Sequence, residues 1–299
     1  CVDMIFSMCS NPLSDKYYAT AFGYSQNFGD SFTKLLVIDT SLTIDTIQNF
    51  FDFTYKGRSV HFVNDTLLRY VTRTHEISGD EQNALLEQTI DHQETNRLVY
   101  GSDGYNDEPA VYQTLRRNAD GSYWAFYFKN YDGSTLFPYD HPSWIEWQKI
   151  SDSLTLEEKY FYGGDAYYFL FDVSTANDSG MLVTATRYDW NVGYPYTDAI
   201  VLKINPDGLL CSAPGQPPTQ PHHAIVYPNP GHGALKVEAG PQIFGATFEL
   251  FDMGGQRVVQ QTLQTSVTAI NTAPLTSGVY PWRIVWKGEV VEEGKWVKD

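Results

Sequence analysis

Four short apolar segments, each ending in a polar tail, recur in the first two thirds of the chain. They lie at residues 35–43, 85–94, 147–154 and 199–208. Their spacing of roughly 50–60 residues is close to the ~40–50 residues of a propeller blade, which is built from four antiparallel strands. The repeat therefore predicts a series of small antiparallel sheets rather than one large sheet.

Between these segments the sequence alternates in the manner of β-strands, and turn signals separate the strands. Residues 122–128 and 180–186 are examples, and Asp120-Gly121 is a hairpin turn signal. Residues 83–87 have some helix propensity, but we interpret them as a loop that leads into a strand. The sequence thus predicts an all-β fold.

A proline-rich stretch at residues 211–223 divides the chain. Proline removes backbone donors and stiffens the chain toward polyproline II, so we expect a semi-rigid connector. Before it, residues 1–210 are predicted to form a β-propeller-like repeat region of about four blades, as a small ring or an incomplete one. After it, about seven short strands in residues 224–299 predict an immunoglobulin-like β-sandwich.

Charge and composition exclude several classes of protein. The net charge is −16 and lies almost entirely before residue 224, which argues against a nucleic-acid partner. No apolar run approaches the ~20 residues of a membrane helix, so no transmembrane segment is predicted. The 3 cysteines form neither a zinc pattern nor a redox pair. Cys1 is either a lipidation site or the start of a fragment, and we favour the fragment.

Residues 224–299 contain several motifs in a fixed order: a proline-flanked entry turn, a glycine hairpin, a Gly-x-Tyr step and a basic final strand. Their residues are Tyr227, Pro228, Asn229, Pro230, Gly231, Asp252, Gly254, Gly255, Leu275, Gly278, Tyr280, Lys295 and Lys298. This order resembles the type A C-terminal sorting domain of the Bacteroidetes type IX secretion system. The resemblance implies export to the cell surface, with the secretion machinery as partner and the last strand as the recognised region.

Each of these motifs also has a local physical interpretation. Gly254 and Gly255 are expected to supply positive φ angles for a tight hairpin. The ring of Tyr280 is expected to cover the core while its hydroxyl stays in water. Pro281 cannot donate to a β-ladder, so its strand is predicted to be an edge strand or to bulge there.

No catalytic motif is complete in this sequence. Gly29-Asp30-Ser31 resembles the nucleophile block of a hydrolase family, but no histidine follows an acidic residue at the required spacing. His75-Glu76 begins a zinc-protease motif that lacks its second histidine. We therefore assign no catalytic residue, and we favour a protein that is not an enzyme.

The best candidate for a ligand-binding loop lies near residues 188–196, where aromatic and amide side chains are concentrated. Its residues are Tyr188, Trp190, Asn191, Tyr194 and Tyr196. The acidic loop at 102–108 offers oxygen ligands without the EF-hand spacing, so no cofactor is expected and calcium remains an alternative. We interpret His222-His223 as a solvated pair in the connector.

Three functions remain open at this point. The favoured one is a secreted or cell-surface protein that binds a glycan or a surface protein without catalysis. The second is an exported glycosidase or peptidase whose catalytic groups are unidentified or lie upstream. The third is a purely structural component of the cell surface. The fold alone does not choose among them.

Overall fold

The computed structural model describes residues 4–10, 14–24, 31–50, 58–74, 82–91, 93–100, 106–131, 141–189, 192, 197–211 and 222–299. These residues form 23 strands and one 3-10 helix at Pro241–Ile243, and they include no α-helix. The all-β prediction is confirmed. Within the described ranges, no helix is long and apolar enough to cross a membrane. The chain divides into two compact units, one of Cys1–Thr155 with Gly163–Thr219 and the other of Leu156–Tyr162 with Gln220–Asp299.

The sheets of the first unit are built from strands that follow one another in the chain. The first sheet has the order β1-β2-β3-β4 and the second the order β5-β6-β7-β8, with every neighbouring pair antiparallel. The strands are β1 Met4–Ser10, β2 Lys16–Tyr24, β3 Ser31–Asp39, β4 Ile44–Phe50, β5 Val60–Asn64, β6 Leu67–Thr74, β7 Gln82–Thr89 and β8 Glu94–Tyr100. Residues 83–87 lie within β7, so they form a strand and neither a helical turn nor the loop that we interpreted as leading into it.

Two further groups of strands continue this pattern. In one, β10, β11 and β12 are neighbours and β9 also pairs with β11; in the other the order is β14-β15-β16. Their bounds are β9 Asp107–Pro109, β10 Leu115–Arg117, β11 Tyr123–Lys129, β12 Trp144–Ile150, β14 Tyr167–Thr175, β15 Met181–Tyr188 and β16 Thr197–Ile204. Strand β13 Leu156–Gly163 belongs, up to Tyr162, to the second unit. The succession of small antiparallel sheets is the propeller-like repeat region that the sequence predicted.

Strand β11 shows why these sheets pack on both of their faces. All seven of its residues are buried, from Tyr123 to Lys129. A strand covered on both sides needs a continuous apolar run instead of an alternating pattern, and residues 123–128 supply it: Tyr123, Ala125 and Tyr127 face one side and Trp124, Phe126 and Phe128 the other, all with exposures of 0–1%. The Asp120-Gly121 turn before β11 has a φ of +87° at Gly121, as a tight hairpin requires.

The C-terminal sandwich consists of seven strands in two sheets. One sheet has the order β17-β18-β21 and the other the order β20-β19-β22-β23. The strands are β17 Ala224–Tyr227, β18 Ala234–Ala239, β19 Thr247–Phe251, β20 Arg257–Thr262, β21 Val267–Asn271, β22 Gly278–Trp286 and β23 Glu289–Lys298. Phe248, Leu250, Ile284 and Trp296 are fully buried between them, which confirms the immunoglobulin-like prediction.

The prediction for Pro281 is confirmed at that position, where β22 pairs only with β23, but it was wrong for the strand as a whole. Strand β22 is not an edge strand, because it lies between β19 and β23, and its bulge falls between Ile284 and Val285. Residues 282–285 of β22 pair with β19, so Pro281 lies just outside that pairing. Proline is tolerated here because the ladder that would need its N–H has already ended.

Candidate functional site

The entry turn of the sandwich holds the last strand through the side chain of Asn229. Its Nδ2 donates to the carbonyl of Lys295 at 2.9 Å, and its Oδ1 accepts from the N–H of Val297 at 2.9 Å. The amide side chain thus makes the two hydrogen bonds, one donated and one accepted, that a paired residue of a neighbouring strand would make. The flanking Tyr227–Pro228 and Asn229–Pro230 peptide bonds are both cis.

Gly231 continues this contact through its backbone. Its N–H donates to the carbonyl of Val297 at 2.9 Å, and its carbonyl accepts from the N–H of Asp299 at 3.0 Å. A Cβ at this position would lie 2.8 Å from the carbonyl oxygen of Pro228 and 3.1 Å from the indole of Trp296. Glycine is therefore required by close approach. We call Pro228–Gly231 together with residues 295–299 the C-terminal clasp.

Trp296 anchors the clasp to the core. The indole is fully buried, and its Nε1 donates to the carbonyl of Pro228 at 2.8 Å. Its ring lies 6.0 Å from that of Tyr280. The hydroxyl of Tyr280 donates to the carbonyl of Thr276 at 2.7 Å, so it has a protein partner that the sequence analysis did not predict. A buried phenol needs a protein partner, and the chain provides one four residues upstream.

The two lysines of the final strand differ in what they do. Lys298 Nζ donates to the carbonyls of His232 at 2.8 Å and Thr272 at 2.9 Å, so its charge is held against the backbone. Lys295 is exposed to solvent. Of the two lysines, Lys295 therefore presents its positive charge to solvent.

The other predicted motif residues lie outside the clasp. The carboxylate of Asp252 accepts the backbone N–H four residues later at 2.8 Å and closes the β19–β20 hairpin. In that turn Gly255 has a φ of +81°, whereas Gly254 does not have a positive φ, so the expectation for Gly254 was wrong. Leu275 packs against the sandwich core, and Gly278 opens β22 opposite the final strand.

The structure gives less information about the predicted ligand loop. Tyr188 is the last residue of β15 and is only 2% exposed, so its side chain belongs to the interior. Trp190, Asn191, Tyr194 and Tyr196 lie outside the described residues. Their role in binding stays a prediction.

Buried carboxylates in the described part of the first unit face cations or amides. Glu87 accepts two hydrogen bonds from the guanidinium of Arg69, at 2.8 and 2.6 Å. The other pairs are Glu108 with Arg58 at 3.1 Å, Asp107 with Lys129 at 3.5 Å, and Glu146 with the amide of Gln148. Burial of a carboxylate is costly unless it is paired in this way.

These pairs also change the interpretation of the acidic loop. Asp107 and Glu108 lie in β9 and are 2% and 6% exposed, so they are not solvated loop residues. Residues 101–105 are outside the described part of the chain. Among the described residues, no group of three or more His, Cys, Asp or Glu side chains is placed to hold a metal ion. The calcium alternative stays a prediction.

His222 and His223 are not a simple solvated pair. His222 Nδ1 lies 2.8 Å from Oε1 of Glu292, and the N–H of His223 donates to Oε2 of the same carboxylate at 2.9 Å. Burial lowers the pKa of His223 below its usual value. Both histidines therefore belong to the second unit, because Glu292 of β23 fixes them there.

Residues 225–298 match the family model of the secretion system C-terminal sorting domain. This segment is a type IX sorting domain. The chain is accordingly an exported protein of the Bacteroidetes cell surface, and the sorting domain implies handling by the type IX machinery. No curated protein matches the chain significantly.

Three solved structures show distant similarity to the whole chain. PorZ, an essential bacterial surface component of the type-IX secretion system of Porphyromonas gingivalis, is 10% identical with a TM-score of 0.25; the match covers 95% of this chain and 58% of PorZ. A Bombyx mori GH32 beta-fructofuranosidase is 12% identical with a TM-score of 0.36, over 99% and 75% of the two chains. The extracellular domain of a putative one-component system from B. thetaiotaomicron is 8% identical with a TM-score of 0.23, over 99% and 75%. Similarity at this level assigns no activity to the chain.

The sequence predicted the entry turn and the last strand but not the contact between them. Trp296, Val297 and Asp299 take part in the clasp and were not among the predicted residues. One signal was available, because Trp296 stands between valine, lysine and glycine neighbours in a strand where a large aromatic residue marks the inward face.

Proposed function

We propose that this chain is a non-catalytic binding or scaffold protein of the cell surface. Its repeat region presents loops to a glycan or to another surface protein, and its sorting domain delivers it there. In the sorting domain, we propose that the C-terminal clasp forms the surface that the secretion machinery recognises. The exposed Lys295 supports this, because it carries positive charge on the strand that the clasp fixes.

The pairing of the buried carboxylates in the repeat region carries the non-catalytic part of the proposal. A glycosidase needs two carboxyl groups roughly 5–9.5 Å apart, with one able to give a proton to the leaving group. A carboxylate whose oxygens accept hydrogen bonds from a guanidinium has that bonding capacity used within the fold. Glu87 and Glu108 are held in this way, so these buried acids act as structural links between strands.

The charge of the repeat region narrows the kind of ligand. With nearly all of the net charge of −16 before residue 224, a polyanionic ligand would be repelled. A neutral glycan or a basic protein surface fits this field better. Aromatic side chains in loops suit either one, because their rings stack on sugar faces and pack against apolar protein surface.

The test is a binding and turnover assay on the full-length purified protein. Glycans and surface-protein extracts are screened for binding, and each ligand found is then incubated with the protein while products are measured. We expect binding without product. Release of sugar or peptide products would favour the exported hydrolase, and the absence of any bound ligand would favour a structural component.

Two matched variants locate the binding surface. Trp190→Ala is expected to weaken binding by about tenfold or more, as loss of one aromatic anchor does. Tyr112→Ala serves as the control, because Tyr112 is 47% exposed in the same unit and outside the predicted loop. Equal effects of the two substitutions would contradict the assignment of the loop.

A further inference from the structure

A segment from upstream of the connector belongs to the unit that contains the sorting domain. Leu156–Tyr162 groups with Gln220–Asp299, although the sorting-domain match begins only at residue 225. We infer that this segment is an integral strand of the sorting domain, and that the domain is complete only when the upstream chain supplies it. The inference does not depend on which ligand the repeat region binds.

The backbone of the segment is held from two sides. Phe161 and His222 exchange both of their backbone hydrogen bonds, at 3.0 and 2.9 Å. The side-chain amide of Gln242 accepts from the N–H of Lys159 at 3.2 Å and donates to its carbonyl at 2.6 Å. Buried peptide groups need such partners, and here residues far along the chain provide them. The contact is therefore a built strand interface.

A buried ion pair fixes the register of the segment. Lys159 Nζ lies 3.0 Å from Oε1 of Glu238, and the two side chains are 2% and 0% exposed. The other oxygen of Glu238 lies 3.4 Å from the hydroxyl of Tyr227. A carboxylate without solvent is strongly unfavourable unless a cation reaches it. Glu238 of β18 is thus paired with a lysine that comes from outside the matched sorting-domain segment.

The aromatic neighbours of Lys159 complete the interface. Tyr160 packs against the ring of His223 with a centroid distance of 5.6 Å, and the ammonium of Lys159 lies 5.8 Å from the ring centre of Phe161. Phe161 is itself fully buried. Three consecutive residues of the segment therefore contribute a charge and two aromatic rings to the second unit.

The order in which the chain passes through the two units determines what a cut in the connector does to the sorting domain. The chain enters the second unit at Leu156, leaves it after Tyr162, and enters it again through the connector. A cut in the connector alone therefore does not release the sorting domain, because the strand from upstream still holds it. In addition, the sorting domain acquires its full stability only after the upstream segment has been made available.

The test uses the full chain with a specific protease site placed within residues 212–219. After complete cleavage, the two fragments are analysed by size-exclusion chromatography under native conditions. We expect them to elute together, and to separate only in denaturant. Separation of the native fragments after cleavage would overturn the inference.

Charge variants show whether Lys159 is responsible. Lys159→Met removes the ammonium group that lies 3.0 Å from the buried carboxylate of Glu238, so we expect the cleaved fragments to separate and the thermal midpoint of the second unit to fall by about 10 °C or more. The double variant Lys159→Met with Glu238→Leu replaces the pair by apolar groups, and we expect it to restore co-elution. It also keeps the test decisive if the single variant does not fold.

Lys203→Met is the matched control. Lys203 forms a partly exposed ion pair with Asp178 at 2.8 Å in the first unit, so its loss should not change co-elution. Co-elution of the Lys159→Met fragments with an unchanged midpoint would overturn the inference. So would a double variant that remains as separated as the single one, because the buried charge would then not be the cause.

Discussion

The repeat region and the sorting domain assemble their sheets in opposite ways. In the repeat region each sheet is made from consecutive strands, as in β1-β2-β3-β4 and β5-β6-β7-β8. In the sorting domain the sheets mix strands from distant parts of the sequence, as in β17-β18-β21. The clasp goes further, because Asn229 binds the carbonyl of a residue 66 positions later.

This difference implies a difference in how each region responds to damage. Sheets of neighbouring strands need only short loops to close, so their contacts are local. The sorting domain cannot finish its core until its last strand is in place, since Trp296 fills that core. A change near the last residue should therefore affect the whole sorting domain and leave the repeat region intact.

The largest expected effect comes from Trp296→Ala. Removal of the buried indole leaves a cavity and an unpaired carbonyl at Pro228, at a cost of about 4 kcal/mol in the free energy of unfolding. We expect the thermal transition of the sorting domain to fall while that of the repeat region stays in place, as calorimetry of the full chain would show. Lys295→Ala, an exposed change on the same strand, should move neither transition. An equal fall of both thermal transitions would contradict the proposed difference between the two regions.

The second expected effect is a pH dependence of the stability of the repeat region. Burial lowers the pKa of His61 in β5 to about 4, and its Nε2 lies 3.0 Å from the carbonyl of Leu115. Because the folded pKa lies below the unfolded value near 6.5, the stabilisation is complete above pH 6.5 and is lost as the pH falls toward 4, by roughly 3 kcal/mol. We expect the repeat region to lose stability in this window.

The second unit contains a histidine of the same kind, because burial also lowers the pKa of His223, so this unit too should lose some stability as the pH falls below 6.5. Its Glu249 has a pKa lowered by the hydrogen bond from Arg283, so that contribution is kept above the ordinary pKa of glutamate and lost only in stronger acid. His61→Gln keeps an amide beside Leu115 but cannot titrate, and denaturant unfolding at pH 7 and 4.5 should show a reduced pH dependence for the repeat region. An unchanged dependence in that variant would remove His61 as the cause.

The smallest effect is expected for Asn229→Ala. It removes two hydrogen bonds to the last strand, worth together about 1–2 kcal/mol, without opening a cavity. We expect the final residues to exchange their amide hydrogens faster while the core of the sorting domain stays protected. Asn271→Ala, on an exposed position of β21, is the control. Protection of residues 295–299 that is identical in both variants would contradict the clasp.

The sequence predicted those features that depend on local patterns. Alternation and turn signals were sufficient for the strands, and the Asp120-Gly121 hairpin and the seven strands of the sandwich are confirmed. The order of motifs was sufficient for the sorting domain. These signals lie within a few residues of each other, so no knowledge of the tertiary structure was needed.

The missed features depend on partners far along the chain. Leu156–Tyr162 carries no mark in the sequence that it belongs to the second unit, since its partners Glu238 and Gln242 come 79 and 83 residues later. Asp107 and Glu108 resembled a solvated acidic loop because charged residues are usually exposed. In the fold, Arg58 and Lys129 lie beside them and pair with their carboxylates, which the sequence does not show.

The most direct test of the whole account is surface delivery of the chain with and without residues 224–299. Cells that express each form are treated with an external protease, and the accessible fraction of the repeat region is measured. We expect the complete chain to be digested and the truncated chain to be protected in the periplasm. Equal accessibility of the two forms would show that the C-terminal sandwich does not direct export.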